Sequence, residues 1–263
     1  MRKLISVLLC AVMLICSAPV SYAAESTSLD NALEILELLK IVQDYDSTSL
    51  SKTENVTRGE FINYAVKLYG SKSFFTGDTQ YYYDIPKSHY AFNAASILAQ
   101  SGVINGNGEK MFFPEDSILT ADACKIVLSI MGYNTEMTLN GGYPVGCLLT
   151  AQKVGITRGC GGGEYLTVAD LIRMLCNALI CDINRVESVS SMGTKYTAEN
   201  GVNILSENFG LHKDSGRITE ADKLSIYGAP SYGSGMAVID GRAYEDTNGL
   251  AKAHLGENAE FLY

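Results

Sequence analysis

The chain repeats itself. Matching Ile41 to Ile104 lays Leu38-Leu39-Lys40-Ile41 over Ser101-Gly102-Val103-Ile104, just after Gln100, at a spacing of 63 residues. The same spacing lays Val56-Thr57-Arg58-Gly59-Glu60-Phe61 over Leu119-Thr120-Ala121-Asp122-Ala123-Cys124. A third, shorter copy has a first helix over Val145 to Val154, a turn at Gly155-Ile156 and a second helix opening at Leu166-Thr167-Val168-Ala169-Asp170. Units of this size cannot bury an apolar face alone, so successive copies must pack on one another.

Each unit reads as helix, loop, helix. In the middle copy Ala91, Ala94, Ala95, Leu98 and Ala99 recur at helical spacing, with Asp84 and Pro86 ahead as cap and lead-in turn. Gly102 ends that helix, and Asn105-Gly106-Asn107-Gly108 tolerates positive φ. Thr120 is expected to cap a second helix over Ala121 to Met131, closed by Gly132. In the first copy Thr57, with Glu60 three residues on, spells a capping box.

The N-terminus bears on compartment. Arg2-Lys3, an apolar run from Leu4 to Ile15, Pro19 and then Ser21-Tyr22-Ala23 read as a cleaved signal peptide over 1–23, too short to span a bilayer. The net charge of −9 becomes −11 without Arg2 and Lys3, and no Lys/Arg block follows, which argues against a nucleic-acid partner. No later stretch is long enough for a transmembrane span. Five cysteines remain after the signal, an odd number without a CxxC pair, so buried free thiols are expected and no metal site.

The residues Tyr83-Asp84-Ile85-Pro86, His89-Tyr90-Ala91, Gly102-Val103-Ile104-Asn105-Gly106, Phe113-Pro114 and Ile118-Leu119-Thr120, with Val56-Thr57-Arg58-Gly59-Glu60-Phe61, resemble the S-layer homology domain. The resemblance implies a mainly α fold: a pseudo-threefold helical triplet with repeats at 29–70, 83–133 and a degenerate 143–183. It implies a non-catalytic protein anchored non-covalently, in grooves between repeats, to an anionic, pyruvylated secondary cell-wall polysaccharide of a Gram-positive bacterium. It assigns glycan contacts to Arg58, Thr57, Glu60, His89, Tyr90, Asn105 and Gly106. No cofactor is implied, and the location is secreted, at the cell wall. The sequence departs from the family pattern where Ala121 and Val168 stand at the other two arginine positions, leaving Lys125, Arg158 or Arg173 as the only substitutes.

Beyond the repeats, 184–200 is rich in Ser, Thr and Gly and reads as a linker. Residues 201–263 read as a small β-rich (α+β) segment. It comprises a short helix from Val202 to Phe209, strands at Gly216–Ala221 and Lys223–Tyr227, and a hairpin turning at Asp240-Gly241. A helix then reaches His254, and a last strand runs to Tyr263 with no obvious closing partner. This tail resembles a segment that follows the triplet in exported clostridial-type proteins, and it is a candidate site for another surface protein. Two alternatives stay open: a scaffold subunit whose repeats have lost glycan affinity, and the N-terminal part of a longer surface protein. Catalytic motifs fail: Gly159-Cys160-Gly161-Gly162-Gly163 lacks the Lys-Ser/Thr of a phosphate loop, and Asp44-Tyr45-Asp46 lacks further spaced ligands for calcium.

Overall fold

In a computed structural model, residues 7–9, 29–42, 53–72, 76–190, 193–246 and 249–263 are described. They fall into two compact units, one within 25–209 and the other combining 210–263 with residues 7–9.

The larger unit contains α1 (Leu29–Leu38), α2 (Arg58–Ala65), a 3-10 segment (Val66–Lys72), α3 (Phe92–Gln100), α4 (Thr120–Ile130), α5 (Asn134–Leu139), α6 (Val145–Val154) and α7 (Val168–Ile180). Three buried side chains at matching places, Val56, Ile118 and Leu166, stand at the centre of a closed hydrogen-bond ring. Val56 N–H donates to Leu166 O, Leu166 N–H to Ile118 O and Ile118 N–H to Val56 O, at 2.9, 3.0 and 2.9 Å. Two residues on, Arg58, Thr120 and Val168 donate in the opposite sense around the ring, to the carbonyls of Asp116, Glu164 and Glu54. The helix-ending turns match as well. Lys40, Gly102 and Gly155 take φ of 57°, 73° and 98°, and the following amides fold back onto Leu36, Leu98 and Ala151.

These equivalences shift the sequence register by one: the first two copies lie 62 residues apart at both anchors, not 63. Lys40 occupies the left-handed position that Gly fills in the other copies, which concealed the register. The cap of α4 is therefore Leu119, without a side-chain bond, and Thr120 is the first helical residue, its hydroxyl donating to Gly163 O at 2.7 Å. The residues equivalent to Arg58 are Thr120 and Val168. Nor does Asp84 cap α3. Its carboxylate accepts from the amides of Phe112 and Phe113, the latter at φ 59° and 2.6 Å away.

Residues 184–200 are not a linker. Asp182–Ser190 (β2) and Gly193–Asn203 (β3) pair antiparallel, as the strand formers Val186, Val189, Thr194, Tyr196 and Thr197 favour. They lead into α8 (Ile204–Phe209), where Asn208 Nδ2 donates to Leu68 O at 2.8 Å.

The smaller unit is an antiparallel sheet of β4 (Lys213–Ala221), β5 (Leu224–Ser225), β6 (Met236–Ile239), β7 (Arg242–Glu245) and β8 (Asn258–Leu262), with Val7–Leu9 as β1. Asp240 and Gly241 take φ of 45° and 77°, the geometry a type I′ hairpin demands. Ile218, Ile239, Tyr244 and Phe261 form its core, Tyr244 meeting Phe261 edge to face at 4.8 Å. The last strand does have partners: β8 lies between β4 and β1. The larger unit is therefore mostly helical, with the β2–β3 hairpin added, and the smaller is strand-rich. Of the signal segment 1–23, only 7–9 are described, and Asp44-Tyr45-Asp46 lies outside the described residues.

Candidate functional site

The first turn of α2 gathers five of the seven expected contacts. Thr57 caps the helix reciprocally with Glu60: Thr57 N–H donates to Glu60 Oε2 at 2.8 Å, and Glu60 N–H to Thr57 Oγ1 at 3.2 Å. The phenol of Tyr90 stands 3.4 Å from Thr57 Oγ1, and its ring stacks on His89 with centroids 4.5 Å apart. His89 Nδ1 accepts from the Ala91 amide, which leaves the proton on Nε2 to be donated to Glu115 at 3.1 Å. Burial raises the Tyr90 phenol above its ordinary value, with the Thr57 hydrogen bond opposing.

Arg58 is held on three sides. Nε donates to Phe112 O at 2.9 Å, Nη1 pairs with Asp122 Oδ2 at 2.8 Å, and the guanidinium lies 4.5 Å from the Phe112 ring centroid. Nη2 has no partner among the described residues. Behind Phe112 stands Tyr82, whose phenol burial pushes up to about 12 and whose ring fills the place of any side chain at Gly106. Gly106 thus supports the site from behind. Asn105 is exposed in the same loop, and among the described residues no hydrogen bond joins it to the five residues gathered at α2.

Two cavities flank this centre. The one of about 480 Å³ is lined by Arg58, Asp122, Asp116, Phe113, Tyr165, Ser117 and Leu119. The larger, about 760 Å³, opens between α4, α6 and the 157–164 loop, with Tyr143, Leu148 and Arg158 among its walls. Tyr143 takes the place that Tyr90 has in the preceding copy, and its phenol is raised above its ordinary value by burial first and then by the Asp122 carboxylate. Arg158 is exposed and has no ion pair among the described residues. Arg173 lies 3.9 Å from Asp170, and Lys125 faces Cys147. The substitute cations therefore do not converge where Arg58 does.

The sequence reading missed Asp122, Asp116, Tyr143 and Tyr165. At a spacing of 62, Asp122 falls in line with Glu60 and Asp170, a signal hidden by the one-residue slip. Asp116 and Tyr165 lie in loops, where periodicity carries no information. Among the described residues no group of three or more His, Cys, Asp or Glu is placed to hold a metal, and no helix is long and apolar enough to cross a membrane.

The chain is similar to two named surface proteins. A "Surface layer protein" of Brevibacillus choshinensis is 24% identical over 190 residues, 68% of this chain and 17% of the relative. A "Cell surface protein" of Thermoanaerobacter kivui is 22% identical over 170 residues, 60% of this chain and 22% of the relative. The chain thus spans under a quarter of the length of either. Residues 81–124, which hold Tyr82, Asp84, Tyr90, Phe112 and Asp122, match the S-layer homology domain family, and the chain carries an S-layer homology domain.

Proposed function

We propose that this is a cell-surface protein held non-covalently on secondary cell-wall polysaccharide, and that it is a binding module, not an enzyme. We read 29–70, 83–133 and 143–183 as three S-layer homology repeats about a pseudo-threefold axis. The ring through Val56, Ile118 and Leu166 supports this, because each copy gives and receives the same bonds. One observation carries the glycan reading. Arg58 is fixed by Phe112 and Asp122 with Nη2 uncommitted, on a cavity flanked by the exposed rings of Phe113 and Tyr165. A preorganised guanidinium in a cavity that also exposes aromatic rings suits a hydroxylated ring, apolar on its faces and polar at its rim.

The test is co-sedimentation of residues 24–263 with cell-wall sacculi, intact or stripped of secondary polysaccharide. Binding to intact walls only, lowered at least tenfold by Arg58→Ala, is expected, since a hydrogen bond to a charged group is worth about 1.5–3 kcal/mol. Equal binding to both walls, or an unaffected variant, would refute it.

A protein-interaction scaffold is the second reading, and α6 favours it. This helix buries Gly146, Cys147, Thr150 and Ala151 while leaving Val145, Leu148 and Leu149 exposed at 57%, 41% and 43%. Under this reading Leu148→Ser and Leu149→Ser abolish capture of a partner while Arg58→Ala does not.

A further inference from the structure

The cavity beside Arg58 is not a cationic site. Its charged walls are Arg58, Asp122 and Asp116: one positive and two negative side chains. Arg58 and Asp122 neutralise one another at 2.8 Å. Asp116 is exposed. Its backbone is engaged, the amide bonding Phe113 O and the carbonyl receiving the Arg58 amide, while its carboxylate has no ion pair among the described residues. What the cavity offers is therefore one free carboxylate, a second already shared, one uncommitted guanidinium nitrogen and two exposed aromatic rings, Phe113 and Tyr165.

An incoming carboxylate would meet the carboxylates of Asp116 and Asp122 and would have to displace Asp122 to gain both Arg58 nitrogens. Each step opposes binding. An ammonium group gains from both carboxylates and leaves the Arg58–Asp122 pair intact. Exposed rings in the same cavity as two carboxylates also suit the face of a sugar that carries a positive charge. We infer that this cavity takes an amino sugar with a free, protonated amine: the amine on Asp116 and Asp122, the ring between Phe113 and Tyr165, and a hydroxyl on Arg58 Nη2. This rests on the wall-glycan reading and reverses the charge expected from the sequence.

Isothermal titration of residues 24–263 with three probes tests it: a glucosamine trisaccharide with free amines, its fully N-acetylated form, and a trisaccharide of uronic acids. The free-amine form is expected to bind at least tenfold more tightly than the acetylated one, and the uronic acid form least. Asp116→Asn should remove that preference, while Glu37→Gln, an exposed carboxylate on α1, should keep it. Tighter binding of the acidic probe, or equal binding of all three, overturns the inference. So does an amine preference that survives in Asp116→Asn, which would mean diffuse attraction to an acidic chain. If the native chain still sediments with walls under any of those results, only the amino-sugar assignment falls. Failure on the walls and on all three probes removes the glycan reading with it.

Discussion

At Gly59 the absence of a side chain is a matter of space, not of backbone conformation. An added methyl group would come within 2.5 Å of Tyr90 Oη and 3.1 Å of Pro114 Cβ. The obstacle is the far end of an aromatic side chain that can swing outward, and alanine is the better helix former by about 1 kcal/mol. Gly59→Ala is therefore expected to leave the melting temperature unchanged or raised while it lowers wall binding several-fold by displacing Tyr90. Thermal melts beside sedimentation check it, and a lowered melting temperature with normal binding would contradict it. Thr57 behaves in the opposite way. Thr57→Ala removes a capping box and costs about 1 kcal/mol of stability, measurable in urea titration, whatever it does to ligand. Neighbouring residues thus separate the site's shape from the helix's stability.

At the level of elements, the outward-facing α6 depends on glycine at one position. Any side chain at Gly146 would run into the carbonyl oxygen of Met137, where α5 packs closely on α6. Gly146→Ala is expected to cost about 1–3 kcal/mol, as overpacking does. Leu149→Ser on the exposed face should stay within about 0.5 kcal/mol. Paired urea titrations decide it, and equal costs would mean that the exposed stripe is covered. Much of this architecture was legible in the sequence because the signals were local. Thr57-x-x-Glu60 gave the capped start of α2, Gly155 the end of α6 and Asp240-Gly241 the hairpin. The features that were not legible depend on tertiary context. Lys40 holds a positive φ only because its turn is packed, so the repeat slipped by one and the carboxylate pairing with Arg58 went unseen. The short α5 has too few turns for periodicity. In 184–200 the Ser, Thr and Gly content resembled a linker, while β-branched residues among them favour the pairing.

Across the whole molecule, several acidic hydrogens are buried without a base to receive them. Burial pushes the thiols of Cys124 and Cys160 up to about 12 from an ordinary 9.0, and that of Cys181 to about 11. The phenols of Tyr82 and Tyr133 rise to about 12 from 10.0, again through burial first. In each case the folded chain keeps a proton that the unfolded chain releases sooner. Between the two values the unfolded state binds fewer protons, so stability falls as pH rises. The contribution is complete below about pH 9 and is lost progressively from there through 12. The midpoint of urea unfolding is therefore expected to be level from pH 7 to 8.5 and to drop clearly by pH 10.5. All five of these groups lie in the unit of residues 25–209, so far-UV helical signal is the readout to follow. A midpoint that holds to pH 10.5 would mean that these groups ionise in place and that water reaches them. The same burial predicts that Cys124, Cys147 and Cys176 resist iodoacetamide at pH 8 in the native chain and react on unfolding. Labelling of any of the three in native buffer would show an opening of the helical core that a single packed arrangement does not allow.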